Sequence, residues 1–216
     1  MARPRKKSNL AAARARMYHD LVFECAERVF AEQGVDTATM QDLANEAGIS
    51  LKTLYATFEG KDDIYREILE VRGAALTESV RGHSAPTPDG TALERIERGL
   101  GGVISFLVEH RDFFRILLQE GRAWGLDPKS EGAREAWDLG TRAMQALISE
   151  GVASGEFAEG DVELLSLTIT AILQVQLAVL LDRRRDEADP ESLTRTIMTS
   201  VSRLLTSSPA ETASAA

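Results

Sequence analysis

Across residues 11–33, Val22, Cys25, Ala26, Val29 and Phe30 recur at steps of three and four, which predicts one long helix with a single apolar face. Gly34 supplies its stop. A much shorter helix follows: Thr39 suits its N-cap, Asp42 stands three residues on in a capping-box arrangement, and Leu43, Ala44 and Ala47 face inward. Gly48 ends it and Ile49 plugs the turn. Ser50 then caps a second short helix, with Leu54 and Phe58 on its buried side. Glu59-Gly60 breaks the run, and a longer helix begins at Lys61 and carries Ile64, Ile68, Leu69 and Val71 to about Val80. Residues 83–90, with Pro86 and Pro88, read as a loop. Further helices are predicted over 91–109, 112–121, 130–154, 161–184 and 190–205, with Asp112 as one N-cap and Asp189-Pro190 opening the last. No strand-like alternation stands out. The expected fold is all-α, about nine helices: an N-terminal three-helix helix-turn-helix head and a C-terminal helical body.

One predicted helix breaks the amphipathic rule. Residues 161–184 are apolar nearly all round, and such a helix needs cover on every side. At 1.5 Å per residue it is about 36 Å long, too long to bury in so small a body. A second copy of the chain is the economical cover. The last helix lies beside it in the pattern, so the expected two-fold interface is Leu173, Leu177 and Leu180 with Ile197, Val201 and Leu204, two helices from each copy. Glu163, Ser166, Gln174 and Gln176 make the segment too polar for an ordinary membrane span, so no membrane partner is expected.

Charge sharpens the division. The chain of 216 residues has a net charge of −9, yet residues 1–60 hold eight basic and eight acidic side chains. Residues 61–216 carry the whole excess, 17 basic against 26 acidic. Arg3, Arg5, Lys6, Lys7, Arg14 and Arg16 precede any acid. Phosphate affinity follows local cationic groups, so an acidic body does not forbid DNA binding. The expected organisation is a flexible basic arm at 1–15, a head at 16–60, a body at 61–206 whose linking helix covers 61–82, and a disordered small-residue tail at 207–216. Cys25, the single cysteine, excludes an internal disulfide. The basic start leads into no apolar run, so no signal peptide is read and the expected location is the cytoplasm.

Two short helices around a Gly-Ile-Ser turn are a helix-turn-helix signature, and the second is of a width that a major groove accepts. Leu51, Lys52 and Thr53 stand outward on its first turn. Tyr55 is placed to reach a phosphate or a thymine methyl, and Thr39 and Ser50 offer hydroxyls at helix starts. The ordered set Ala26, Phe30, Gly34, Thr37, Thr39, Leu43-Ala44, Ala47-Gly48-Ile49-Ser50, Thr53-Leu54-Tyr55, Phe58 and Lys61 resembles the DNA-binding head of the tetracycline-repressor (TetR) family. The resemblance covers 26–69; beyond it only helix number and layout are similar. It implies a homodimer on palindromic double-stranded operator DNA, joined through the last two helices. Contacts are implied for Gln41 on the first short helix, for Leu51, Lys52, Thr53, Tyr55 and Thr57 around the second, and for Lys61 as a phosphate anchor. Leu51 is apolar where a polar base reader is frequent. Ala56-Thr57 and Glu59-Gly60 also depart from the commoner residues.

Aromatic and soft apolar groups between the head and the dimer helix, Phe106, Phe114, Trp124, Trp137 and Met144, together with the amide Gln174, are the expected lining for a small apolar or amphipathic effector. A pocket in the middle helices that releases the operator when filled is what the resemblance implies. An activator reading stays open beside the repressor. So, from other classes, do a carrier of hydrophobic ligands and a helical enzyme. Against the enzyme, His19, His83 and His110 lack metal-like pairing, and no phosphate-cradling loop or nucleophile elbow occurs. No cofactor is expected.

Overall fold

The computed structural model describes residues 5–83, 90–119, 131–183 and 189–206. Among them are nine helices and no strand: α1 (Arg5–Gln33), α2 (Met40–Glu46), α3 (Leu51–Tyr55), α4 (Lys61–His83), α5 (Ala92–Glu109), α6 (Arg111–Gln119), α7 (Glu131–Ala153), α8 (Val162–Arg183) and α9 (Pro190–Thr206). Arg3, Trp124, most of the loop at 83–90 and the tail at 207–216 lie outside the described residues, as does the side chain of Trp137.

Two sequence expectations shift. The arm at 1–15 was expected to be flexible, but α1 begins at Arg5. Ala11, Ala12, Ala13 and Ala15 among Lys, Arg and Leu are strong helix formers, and no proline follows Pro4 to stop them. Asp112 is not an N-cap; it sits inside the first turn of α6 and pairs with Arg115 at 3.1 Å.

The helices form two compact units, Met1–Arg72 with Arg111–Ala123 and Gly73–His110 with Trp124–Ala216. In the first, α1 packs against α2 and α6. Val22, Ala26, Phe30, Leu43, Leu54, Ile64 and Ile68 are fully buried there. The Gln119 amide donates to the Ala31 carbonyl at 2.6 Å, fastening α6 to α1. Arg72 on α4 grips Glu27 on α1 through three hydrogen bonds of 2.7–3.2 Å and lies over the Phe23 ring. Glu27 is buried, so losing Arg72 alone would strand a charge, a cost of about 3–5 kcal/mol.

In the second unit, α5 packs on α7, α8 and α9, and Ile96, Ile104, Ile148, Ile169, Leu177, Leu193 and Ile197 have no exposed surface. The start of α5 is capped twice. Thr91 and Glu94 form a capping box, and the Glu156 carboxylate takes the backbone N–H groups of Ala92 and Leu93 at 2.8 and 3.0 Å. Free N–H groups at a helix start attract a carboxylate for electrostatic reasons as well. Glu156 is held there by the turn after α7, where Gly155 adopts φ +76° and the N–H groups of Glu156 and Phe157 both return to the Gly151 carbonyl.

That turn lays the Phe157 ring on Gly151, where a Cβ would stand 2.1 Å from a ring carbon. The ring is buried and cannot swing into solvent. Gly151→Ala should therefore destabilise the protein by about 1–3 kcal/mol, as overpacked cores do. Urea unfolding checks this, and an unchanged midpoint would refute the steric reading.

Candidate nucleic-acid interface

α2 has seven residues and α3 five, too few for either to persist alone in water. Their ends supply what length does not. The Thr39 hydroxyl accepts the Asp42 backbone N–H at 3.2 Å, and the Asp42 carboxylate accepts the Thr39 backbone N–H at 2.9 Å. This is a complete capping box. At the other end Gly48 takes φ +63°, with its N–H on Asn45 O and the Ile49 N–H on Ala44 O. The two bonds make a Schellman motif, which a residue with a Cβ disfavours at Gly48. The Ser50 hydroxyl then accepts the Thr53 backbone N–H at 3.1 Å and opens α3. Leu43, Ala44 and Leu54 anchor both helices in the core.

The hydroxyls expected to face DNA therefore also hold the motif together. Thr39 is tied to Asp42, the Ser50 and Thr53 hydroxyls pair at 2.8 Å, and Thr57 donates to the Thr53 carbonyl at 3.1 Å. Lys52 and Gln41 are exposed, Leu51 is half-buried, and Tyr55 is 53% exposed on a helix whose Leu54 is fully buried. The Gln41 amide donates to the Asn45 side-chain carbonyl at 2.8 Å, a partner one helical turn away that the sequence reading passed over. Lys61 is half-buried. Its ammonium donates to the carbonyls of Val35, Asp36 and Ala38, each at 2.9 Å.

Nearby contacts stiffen the motif. Arg28 on α1 pairs with Glu46, the last residue of α2, at 2.9 Å, and that carboxylate holds the guanidinium pKa above its usual value. His19 stacks on the buried Phe58 ring at 5.0 Å and reaches Glu67 on α4 at 2.7 Å. Cys25 is core, its thiol directed at the Glu46 carbonyl at 3.7 Å.

Four of the expected effector residues have described side chains. Phe114 is 2% exposed in α6 and belongs to the first unit; Phe106, Met144 and Gln174 belong to the second. Phe106 is buried against His110, Met144 is half-buried, and Gln174 is buried without a hydrogen-bond partner among the described residues. The expected dimer residues need correction. Leu177, Ile197 and Val201 are fully buried and Leu173 nearly so, which leaves them almost no surface to offer a partner. Leu180 and Leu204 are part-exposed. The apolar surface that α8 leaves open consists of Leu164, Val175 and Val179, 61%, 63% and 41% exposed. Val175 and Val179 border a groove of about 520 Å³ between α8 and α9, with Arg183 and Arg195 at its sides.

Residues 22–68 match the family described as bacterial regulatory proteins, tetR family, and residues 89–175 match the tetracyclin repressor-like C-terminal domain. The chain belongs to the tetracycline-repressor family of bacterial transcriptional regulators. It is 26% identical over 140 residues to YfiR of Bacillus subtilis (strain 168), described as an uncharacterized HTH-type transcriptional regulator. That stretch covers 63% of this chain and 66% of YfiR. In fold it is similar to the ketosteroid transcriptional regulator KstR2 of Mycobacterium tuberculosis, with a TM-score of 0.75 and 21% identity over 88% of this chain and 95% of that one. It is also similar to the fatty acid degradation regulator FadR of Bacillus halodurans, with a TM-score of 0.65 and 17% identity over 86% and 94%.

The capping box has a pH signature. Hydrogen bonds from the Thr39 hydroxyl and backbone N–H hold the Asp42 carboxyl below the usual aspartate range. A lowered folded-state pKa means that its contribution is complete above the ordinary aspartate range and fades as pH falls through the lowered value. Asp42→Ala should lower the melting temperature at neutral pH, and the gap from wild type should narrow in strong acid. A gap of constant size down to that range would show that the charge contributes nothing.

Proposed function

We propose that the protein is a dimeric repressor: the helix-turn-helix within 16–60 reads an operator half-site, and the body within 61–206 dimerises and takes a small apolar or amphipathic effector that lowers operator affinity. The observation that carries the DNA half is the pair of fully capped short helices holding Gln41, Leu51, Lys52 and Tyr55 at the surface over a buried Leu43, Ala44 and Leu54. Lys52 supplies a phosphate or guanine contact, Tyr55 a phosphate or thymine-methyl contact, and Leu51 an apolar contact to a thymine methyl. Thr39, Ser50, Thr53 and Thr57 fix the helices and present their remaining lone pairs. The basic residues of the first turns of α1 add phosphate affinity.

For the dimer, the support is the open stripe of Leu164, Val175 and Val179 on an apolar helix that buries only one face, through Ile169, Leu173 and Leu177, in its own unit. α8 is long and apolar enough to cross a membrane by length and composition alone. A two-fold partner accounts for the same surface, and it suits two recognition helices set one DNA turn apart on a palindrome. A cytoplasmic location follows from a DNA target. For the effector, the support is the placement of Phe106, Met144 and the largely buried Gln174 in the same helical unit, apolar groups beside one amide. The names of the fold neighbours, a ketosteroid transcriptional regulator and a fatty acid degradation regulator, support an apolar effector.

Selection from a random double-stranded library, read by fluorescence anisotropy, tests the DNA reading. It should recover a palindrome whose affinity falls steeply with salt, and Lys52→Ala should both weaken binding and alter base preference. Recovery of no preferred sequence would sink the proposal. For the interface, Val175→Arg should convert a sedimenting dimer to monomer without lowering the melting temperature of the body. An intact dimer would move the interface elsewhere.

A further inference from the structure

We propose that Lys61 is a positioning residue of the helix-turn-helix rather than a phosphate anchor; the inference rests on the DNA-binding reading above but on a different atom set. A lysine ammonium has three N–H donors, and here all three are used, on the carbonyls of Val35, Asp36 and Ala38 at 2.9 Å each. Those carbonyls belong to the turn between α1 and α2, where no helix satisfies them. Among the described residues, none of the three accepts a backbone N–H. The lysine itself opens α4, one residue after the Glu59-Gly60 turn that follows α3.

One side chain thus joins the chain just before α2 to the chain just after α3. Ala38 immediately precedes the Thr39 cap, so its carbonyl fixes where α2 begins, and Lys61 fixes where the α3 segment ends. The motif's two helices are bracketed by a single ammonium. A phosphate contact would compete with three short hydrogen bonds in a half-buried site. The role depends on shape as well as charge. Three carbonyls converge on one nitrogen, a geometry that a tetrahedral ammonium fits and a planar guanidinium does not.

Two variants and one measurement on the native protein separate the roles, using the operator recovered by the library selection. Lys61→Arg keeps the charge, and Lys61→Met keeps the stem without it. For a positioning residue, both should lose more than about tenfold in operator affinity at a temperature where both are folded. Both should also keep the wild-type slope of log affinity against log salt, because no released counterion is lost. A phosphate anchor predicts otherwise: Lys61→Arg stays close to wild type, and Lys61→Met lowers the slope by about 0.9 per lysine removed. Either of those results overturns the proposal. If the variants do not fold, acetylation of the wild-type protein decides. With acetic anhydride, Lys61 should be far less reactive than the exposed Lys52 in free protein, and added operator should protect Lys52 without changing Lys61. A Lys61 that reacts freely alone and is shielded by DNA would overturn the assignment. Failure to bind any DNA would instead strike the DNA-binding reading, while the reactivity of the free protein would still test Lys61.

Discussion

Five residues of α3 must be held as a helix in water, although nucleation alone disfavours so short a segment. Everything in the first unit answers that constraint. Ser50 supplies the start, the Schellman turn at Gly48 sets the angle from α2, and Leu54 and Phe58 bury the inner side. α1, the longest helix, serves as the floor: Val22, Ala26 and Phe30 give an apolar bed, and Arg28 holds the far end of α2. The recognition surface is therefore pre-formed, and its exposed side chains need no ordering of the backbone to meet a groove. Fixing geometry before binding is what removes the entropic cost from association.

The same economy explains why polar side chains in the head serve structure first. Thr39, Ser50, Thr53 and Thr57 spend hydrogen bonds on caps and on one another. Residues that are free to vary in chemistry, Gln41, Leu51, Lys52 and Tyr55, stand where the backbone makes no demand on them.

In the second unit the governing term is apolar area. α8 is apolar around its whole circumference, and α5, α7 and α9 cover only part of it. Exposed leucine and valine along one helix are normal singly and costly in a row, which is why a second copy is the natural cover. Glu156 and Gly151 show how this unit is closed on itself: one turn both caps α5 and seats Phe157.

Much of this was legible in the amino-acid sequence. Helix positions followed from three- and four-residue periodicity, because an amphipathic helix must repeat its buried face. The caps at Thr39, Ser50 and Asp189 and the stop at Gly48 are local chemistry, readable from a few neighbouring residues. Three features depended on tertiary structure. Which side of α8 faces inward was hidden because an apolar helix without a polar face carries no phase, so Leu173 and Leu177 could not be told from Val175 and Val179. The partners Glu27 and Arg72 lie 45 residues apart, and Glu156 lies 63 and 64 residues from the amides it caps. No spacing rule connects them. Lys61, for which the resemblance implied a phosphate contact, acquired its three carbonyls only when the chain brought the turn at Val35–Ala38 against the start of α4. Sequence determines local helix geometry because its causes lie within one or two turns; it leaves to the fold whatever depends on which distant surfaces meet.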